Sequence, residues 1–248
     1  MTTPDPSSLP DLSGRVVVVT GASRGIGAAV ALEAARLGGR VVLVGRTRGA
    51  LEELDDEIRA LGREPAVLAP VDLTRREHVD ALGGMLFERF GRIDLLVHAA
   101  GEPGTLTPVS HIDPTELQKV LAVEVIAAQH LIRSFETLLR VSETGRAIFL
   151  TCDIAASAPA YFGMAAAAKA GLEALVRSWA AELRQSRVEV VLVDPGRVAG
   201  TRTETRRYPG GSREKLPGSA EVAALILATL AQPAGGNDVV RLQSSPRL

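Results

Sequence analysis

The stretch that most restricts how this chain can fold runs from Arg15 to Gly27, RVVVVTGASRGIG. Val16 to Val19 is an unbroken β-branched run, which suits a strand covered on both faces better than the alternation of a half-exposed one. Thr20 ends the run. Gly21, Ser23, Arg24, Gly25, Ile26 and Gly27 make a turn, and Ala28, Val30, Ala34 and Leu37 continue at helical spacing. A helix opened in this way turns free backbone N–H groups and a positive dipole end outward, which makes an anion site. Glycine is needed because a Cβ would keep a phosphate group from the backbone, or the helix from the strand. A strand-to-helix turn whose glycines serve tightness alone is the competing reading, so the rest of the chain has to decide.

Downstream, apolar runs near Val41–Val44, Ala66–Val71, Leu95–Ala99, Ala147–Leu150, Val188–Val193 and Val239–Leu242 alternate with helix-period segments. Two helices carry start signals. Thr74-Arg-Arg-Glu77 is a capping box, and Asp113-Pro114-Thr-Glu116 joins an N-cap to proline at the first helical position and a returning carboxylate. Repeated βα units with buried strands predict an α/β, doubly wound parallel sheet of about seven strands in a single domain, with ligands outside the carboxyl ends of the strands. The domain is expected over residues 12–248, behind a flexible N-terminal tail at 1–11. Gly200 to Gly218, rich in glycine and proline and carrying Arg202, Arg206 and Arg207, is either a mobile lid or a plain surface loop.

The 248 residues are 46% hydrophobic, enough for one large core. The 28 basic and 29 acidic residues are interspersed, so no basic surface calls for nucleic acid or anionic lipid. One cysteine and four histidines without ligand spacing predict no disulfide and no metal site. No apolar run approaches the ~20 residues of a membrane span, and the N-terminus lacks the pattern of a signal peptide, so a cytoplasmic protein is expected.

The spacing Thr20-Gly21-x-x-x-Gly25-Ile26-Gly27 resembles the short-chain dehydrogenase/reductase family, whose Rossmann fold and NAD(P) site are thereby implied. Where an NAD-preferring fold places a carboxylate after the second strand, this chain has Gly45-Arg46-Thr47. Arg46 and Arg24 offer guanidinium forks suited to a 2′-phosphate, so NADP(H) is favoured over NAD(H). The alternative is that both arginines are solvated surface residues. Asp72 resembles the family's aspartate beside the adenine ring, or else leads into the Thr74 cap. In His98-Ala99-Ala100-Gly101 the Ala100-Gly101 half matches the family's Asn-Asn-Ala-Gly. Asp194-Pro195-Gly196 is similar to its Asn-Pro-Gly turn, and Thr201 to the threonine that touches the carboxamide, displaced by one residue.

The resemblance also implies a catalytic set: a tyrosine as acid or base, a lysine four residues later, a serine about thirteen residues before the tyrosine, and an asparagine in the preceding helix. Lys169 is present. Counting from it puts Ala165 at the tyrosine, Cys152 at the serine and Glu124 at the asparagine. Alanine can neither give nor take a proton, and a phenol is competent near neutral pH only beside a cation. Tyr161 lies eight residues before Lys169, ~12 Å along a helix, so it could contribute only from a loop. Cys152 is a nucleophile or a small buried hydrophobe. Glu124 and Asp153 are expected to face Lys169 as a structural ion pair.

These replacements predict a nucleotide-binding protein in which ordinary carbonyl or alcohol hydride transfer is lost or impaired, with a protein partner or a regulatory role in place of catalysis. The alternatives are an active NADP(H)-dependent oxidoreductase with another proton donor, acting on a small molecule, and non-redox chemistry at Cys152, Asp153 or Glu124. The helix from Tyr161 has too many small and apolar positions for one stripe. Together with the family resemblance, this implies a homodimer or homotetramer built on helices 113–140 and 161–184.

Overall fold

The β-branched runs become the middle of a sheet. The structure, a computed structural model, describes residues 9–208, 216–231 and 239–242. In chain order they form β1 (Val16–Thr20), α1 (Gly25–Arg36), β2 (Arg40–Gly45), α2 (Arg48–Ala60), β3 (Val67–Pro70), α3 (Arg76–Phe90), β4 (Leu95–His98) and α4 (Pro114–Leu121). A π-helical turn (Ala122–Ile126) leads into α5 (Ala127–Val141), followed by β5 (Arg146–Leu150), α6 (Ile154–Ser157), α7 (Gly163–Glu182), β6 (Glu189–Asp194), α8 (Arg202–Arg207), α9 (Ser219–Ala228) and β7 (Val239–Arg241). All pairings are parallel, in the order β3-β2-β1-β4-β5-β6-β7. This is the single-domain doubly wound sheet expected.

Side chains alternate across the sheet, so β1 feeds both layers. Val17 and Val19 pack with Val30 and Ala34 of α1, Leu51 and Ile58 of α2, and Ile226 of α9. Val16 and Val18 pack with Leu86 of α3, Leu131 and Phe135 of α5, and Leu172 and Val176 of α7. Residues buried on both faces explain why the strands read as continuous apolar runs. After β3 the chain returns to the other side of β1 to form β4, so the connections leaving β1 and β4 run in opposite directions. A crevice opens between their carboxyl ends.

Two local expectations need correction. Helix α4 is capped as predicted, with the Asp113 carboxylate accepting from the Glu116 amide at 2.9 Å and Pro114 at N1. Thr74, however, caps nothing. The Asp72 carboxylate accepts from its amide (3.0 Å) and hydroxyl (2.8 Å), and α3 begins at Arg76 without a side-chain cap. The long helix expected from Tyr161 begins at Gly163, because Tyr161 has φ +72° and stands outside it.

Leu9 packs against the first core layer and Leu12 is fully buried, so the body reaches into the stretch assigned to the tail. Residues 1–8 of that tail lie outside the described residues. Within the 200–218 segment, residues 202–207 form α8, and 209–215 lie outside the described residues. Among the described residues no helix is long and apolar enough to cross a membrane.

Candidate active site

The crevice at the carboxyl ends of the strands is a cavity of about 320 Å³, walled by the glycine turn, the ends of β2, β4, β5 and β6, and α8. Every residue that the sequence pattern assigns to the site lines it except Ala165, which is 4% exposed and packed inside α7. Tyr161 is 59% exposed and is also absent from the lining, so the loop route left open to it is not taken.

At one end the backbone comes close. Gly21 has φ +68°, and a Cβ on it would stand 2.7 Å from the Ala100 amide nitrogen. A Cβ on Gly27 would run into the carbonyl of Gly21, so Gly27 is needed to seat α1 on the end of β1, and Gly21 to bring the turn against the loop after β4. Arg24 and Arg46 are exposed at this end, and among the described residues neither makes a salt bridge. Burial pushes the Asp72 carboxyl up, but the two Thr74 hydrogen bonds and the charge of Arg46 outweigh it and hold the group below its ordinary value. Asp72 therefore lines the cavity and holds the turn before α3 at once.

At the other end the polar groups bond one another. The π turn swings Glu124 inward, a common use of such an insertion. One Glu124 oxygen lies 2.8 Å from the Lys169 ammonium and the other accepts from the Glu102 amide at 2.9 Å. Lys169 also donates to the Leu150 carbonyl at 2.9 Å, and both members of the pair are buried. The expected ion pair thus exists with Glu124, whereas Asp153 is not among the partners of Lys169. Deeper, the Thr151 hydroxyl donates to Glu173 at 2.6 Å.

His98 is buried, with Nδ1 2.8 Å from the Thr20 hydroxyl and Nε2 without a partner among the described residues. Burial, then the charge of Lys169, lowers its pKa to about 3, so the imidazole is neutral. Burial raises the Asp194 carboxyl, with Asp153 adding to the shift, although the Gly196 amide donates to Asp194 at 2.9 Å. Burial likewise raises the Cys152 thiol.

The arginine-rich segment folds over this end. The Thr201 hydroxyl caps α8, accepting from the Glu204 amide at 3.1 Å and donating to the Val198 carbonyl at 3.0 Å. Arg206 reaches Glu102 at 2.5 Å, Arg197 reaches Glu204 at 3.0 Å, and Arg207 donates to the Cys152 sulfur at 3.3 Å. Tyr208 lines the cavity with Arg197 stacked 4.1 Å from its ring centre. The described part of this segment lines the cavity and so is more than a plain surface loop. Tyr208 was missed as a cavity phenol because no spacing ties it to Lys169. Its signal was only that it is one of two tyrosines in the chain.

The short chain dehydrogenase profile matches residues 15–210. The chain belongs to the short-chain dehydrogenase family. Its relative YciK, an oxidoreductase of Escherichia coli K12, is 32% identical over 220 residues, covering 87% of this chain and 86% of the relative. A solved short chain dehydrogenase from Pseudomonas syringae superposes with a TM-score of 0.92 at 28% identity, covering 98% of this chain and 100% of that one. Another, from Shigella flexneri and complexed with NADP, gives 0.87 at 28% identity, covering 94% and 99%.

Proposed function

We propose that this short-chain dehydrogenase binds NADP(H) at the glycine turn and has lost, or keeps only weakly, ordinary carbonyl and alcohol hydride transfer. The observation that carries the reading is a contrast across one cavity: at one end a glycine cradle with two arginines that make no salt bridge among the described residues, and at the other a lysine bound to Glu124, with alanine one turn before it in α7. The cradle fits a pyrophosphate, since the glycine turn lines the cavity at the N-terminus of α1, where free backbone N–H groups and the positive dipole end face a ligand. Arg24 and Arg46 suit a 2′-phosphate, and the Shigella relative's complex with NADP agrees with that choice. NADPH, when bound, supplies a hydride to a carbonyl carbon.

This chain's part in such a reduction would be to give a proton to the alkoxide. Ala165, at the position that the family resemblance gives to the tyrosine, has no proton to give. Calorimetry tests the cofactor reading: NADPH should bind more tightly than NADH, and Arg46→Ala should cost NADPH about 1.5 to 3 kcal/mol while leaving NADH nearly unchanged. Equal affinities for the two nucleotides, or no binding of either, contradict it.

Tyr208 favours a second reading, an active reductase with a non-standard proton donor. Its pKa is raised by burial first and by Asp153 second, so the phenol keeps its proton and is the cavity's one phenol with a proton to give among the described residues, although a weaker acid than an ordinary tyrosine. Tyr208→Phe would abolish reduction in that case and change nothing measurable in the first.

The proposed assembly is a homodimer or homotetramer through α4, α5 and α7. It is supported by a row of exposed small residues on α7 (Ala167, Ala170, Ala174) and by exposed Ile126. Light scattering at micromolar concentration should give at least twice the monomer mass.

A further inference from the structure

The segment after β6 brings several guanidinium groups around the far end of the cavity, and most have a carboxylate partner there. Arg206 and Arg202 both reach Glu102, at 2.5 and 3.5 Å, and Arg197 reaches Glu204. Arg207 differs. Among the described residues no carboxylate bonds it; it donates to the Cys152 sulfur at 3.3 Å, and its Nε is buried without an acceptor. Burial keeps Cys152 a neutral thiol, which is a weak acceptor and no counter-ion. Arg207 also lines the cavity, so the part of its guanidinium that faces the open space meets no carboxylate among the described residues and is left for a ligand oxygen.

We propose that this end of the cavity binds a small carboxylate, received by Arg207 beside Cys152. The inference rests on reading the cavity as a nucleotide site with a second compartment, and it names the ligand class of that compartment. The planar guanidinium fork matches the two oxygens of a carboxylate. A dianionic phosphate fits less well, because Asp153 and Asp194 face the same space and repel a second negative charge.

Cys152 is the single cysteine of the chain, so its modification reads out this compartment alone. In the full-length protein, alkylation of Cys152 by iodoacetamide is followed by intact mass while pyruvate, its neutral amide pyruvamide, or inorganic phosphate is titrated. Pyruvate should protect saturably and at concentrations at least tenfold below pyruvamide or phosphate. Arg207→Gln should weaken protection by pyruvate roughly 10- to 100-fold, and Arg207→Lys should keep part of it.

Equal protection by acid and amide, no protection by either, better protection by phosphate, or an unchanged preference in Arg207→Gln each overturns the inference. Should Arg207→Gln melt at much lower temperature than the natural protein, Arg207→Lys and the acid–amide pair on the natural protein carry the decision. NADPH titrated on the same samples separates the two readings. Nucleotide binding without carboxylate preference overturns this inference alone, and carboxylate preference without nucleotide binding overturns the cofactor reading alone.

Discussion

At the glycine turn the basic groups facing the cavity, Arg24 and Arg46, make no salt bridge among the described residues. At the far end almost every one is already bonded to a neighbour, Lys169 to Glu124, Arg197 to Glu204, and Arg202 and Arg206 to Glu102. The two ends share one fold and one wall of the cavity but place their charges differently. Donors left free are available to a ligand, whereas donors joined to carboxylates hold the protein's own elements together. Glu124 fastens the π turn to α7 and to the loop after β4, so it does structural work at a position that the family resemblance gives to catalysis.

The sharpest way to break this contrast is to rebuild the far end. Ala165→Tyr alone should raise ketone reduction little, because Glu124 already neutralises the cation that would make a new phenol acidic. The triple change Ala165→Tyr, Cys152→Ser and Glu124→Asn should exceed the product of the single effects. A positioned general acid is worth ~10²- to 10⁴-fold, and residues acting as one unit are not independent. Steady-state kinetics measures it, with a thermal melt to detect overpacking around residue 165.

Next in size is Glu124→Ala, which leaves the Lys169 ammonium buried with only the Leu150 carbonyl. Breaking a buried pair from one side costs about 3 to 5 kcal/mol, measurable by denaturant unfolding. A loss under ~1 kcal/mol would mean that the pair is not structural.

The smallest expected effect concerns His98, which lies between the two ends. Its imidazole stays neutral to about pH 3 in the folded protein, while the unfolded chain takes up a proton near 6.5. Between those values the unfolded state binds more protons, so stability falls as pH drops below 6.5. From pH 7 to 5 the loss at this one group is about 2 kcal/mol. His98→Asn should therefore flatten the acid side of the stability curve by that amount, and parallel curves would contradict the burial argument.

What could be seen in the sequence and what could not divides along a physical line. The glycine turn, the strands and the Asp113 cap are local: each follows from neighbouring residues and the period of its element. Thr74 looked like a cap because its spacing to Glu77 is right, but Asp72, two residues earlier, captures its amide and hydroxyl. The Lys169–Glu124 pair follows from two positions on separate helices, whereas Asp153 does not join it, since position in the sequence does not fix where a side chain turns after a strand. Arg207 and Tyr208 became cavity residues only through the docking of α8, which depends on ion pairs to Glu102 that no sequence period encodes.

The central claim is that the far end of the cavity has given up its proton donor while the glycine turn keeps its ligand. A single-turnover experiment tests it most directly. The purified protein is loaded with NADPH, mixed with a panel of simple ketones and aldehydes, and followed at the absorption band of the reduced nicotinamide. The account predicts NADPH binding with no measurable oxidation over many minutes. Oxidation at the ~1 to 10³ s⁻¹ of ordinary enzymes would contradict it.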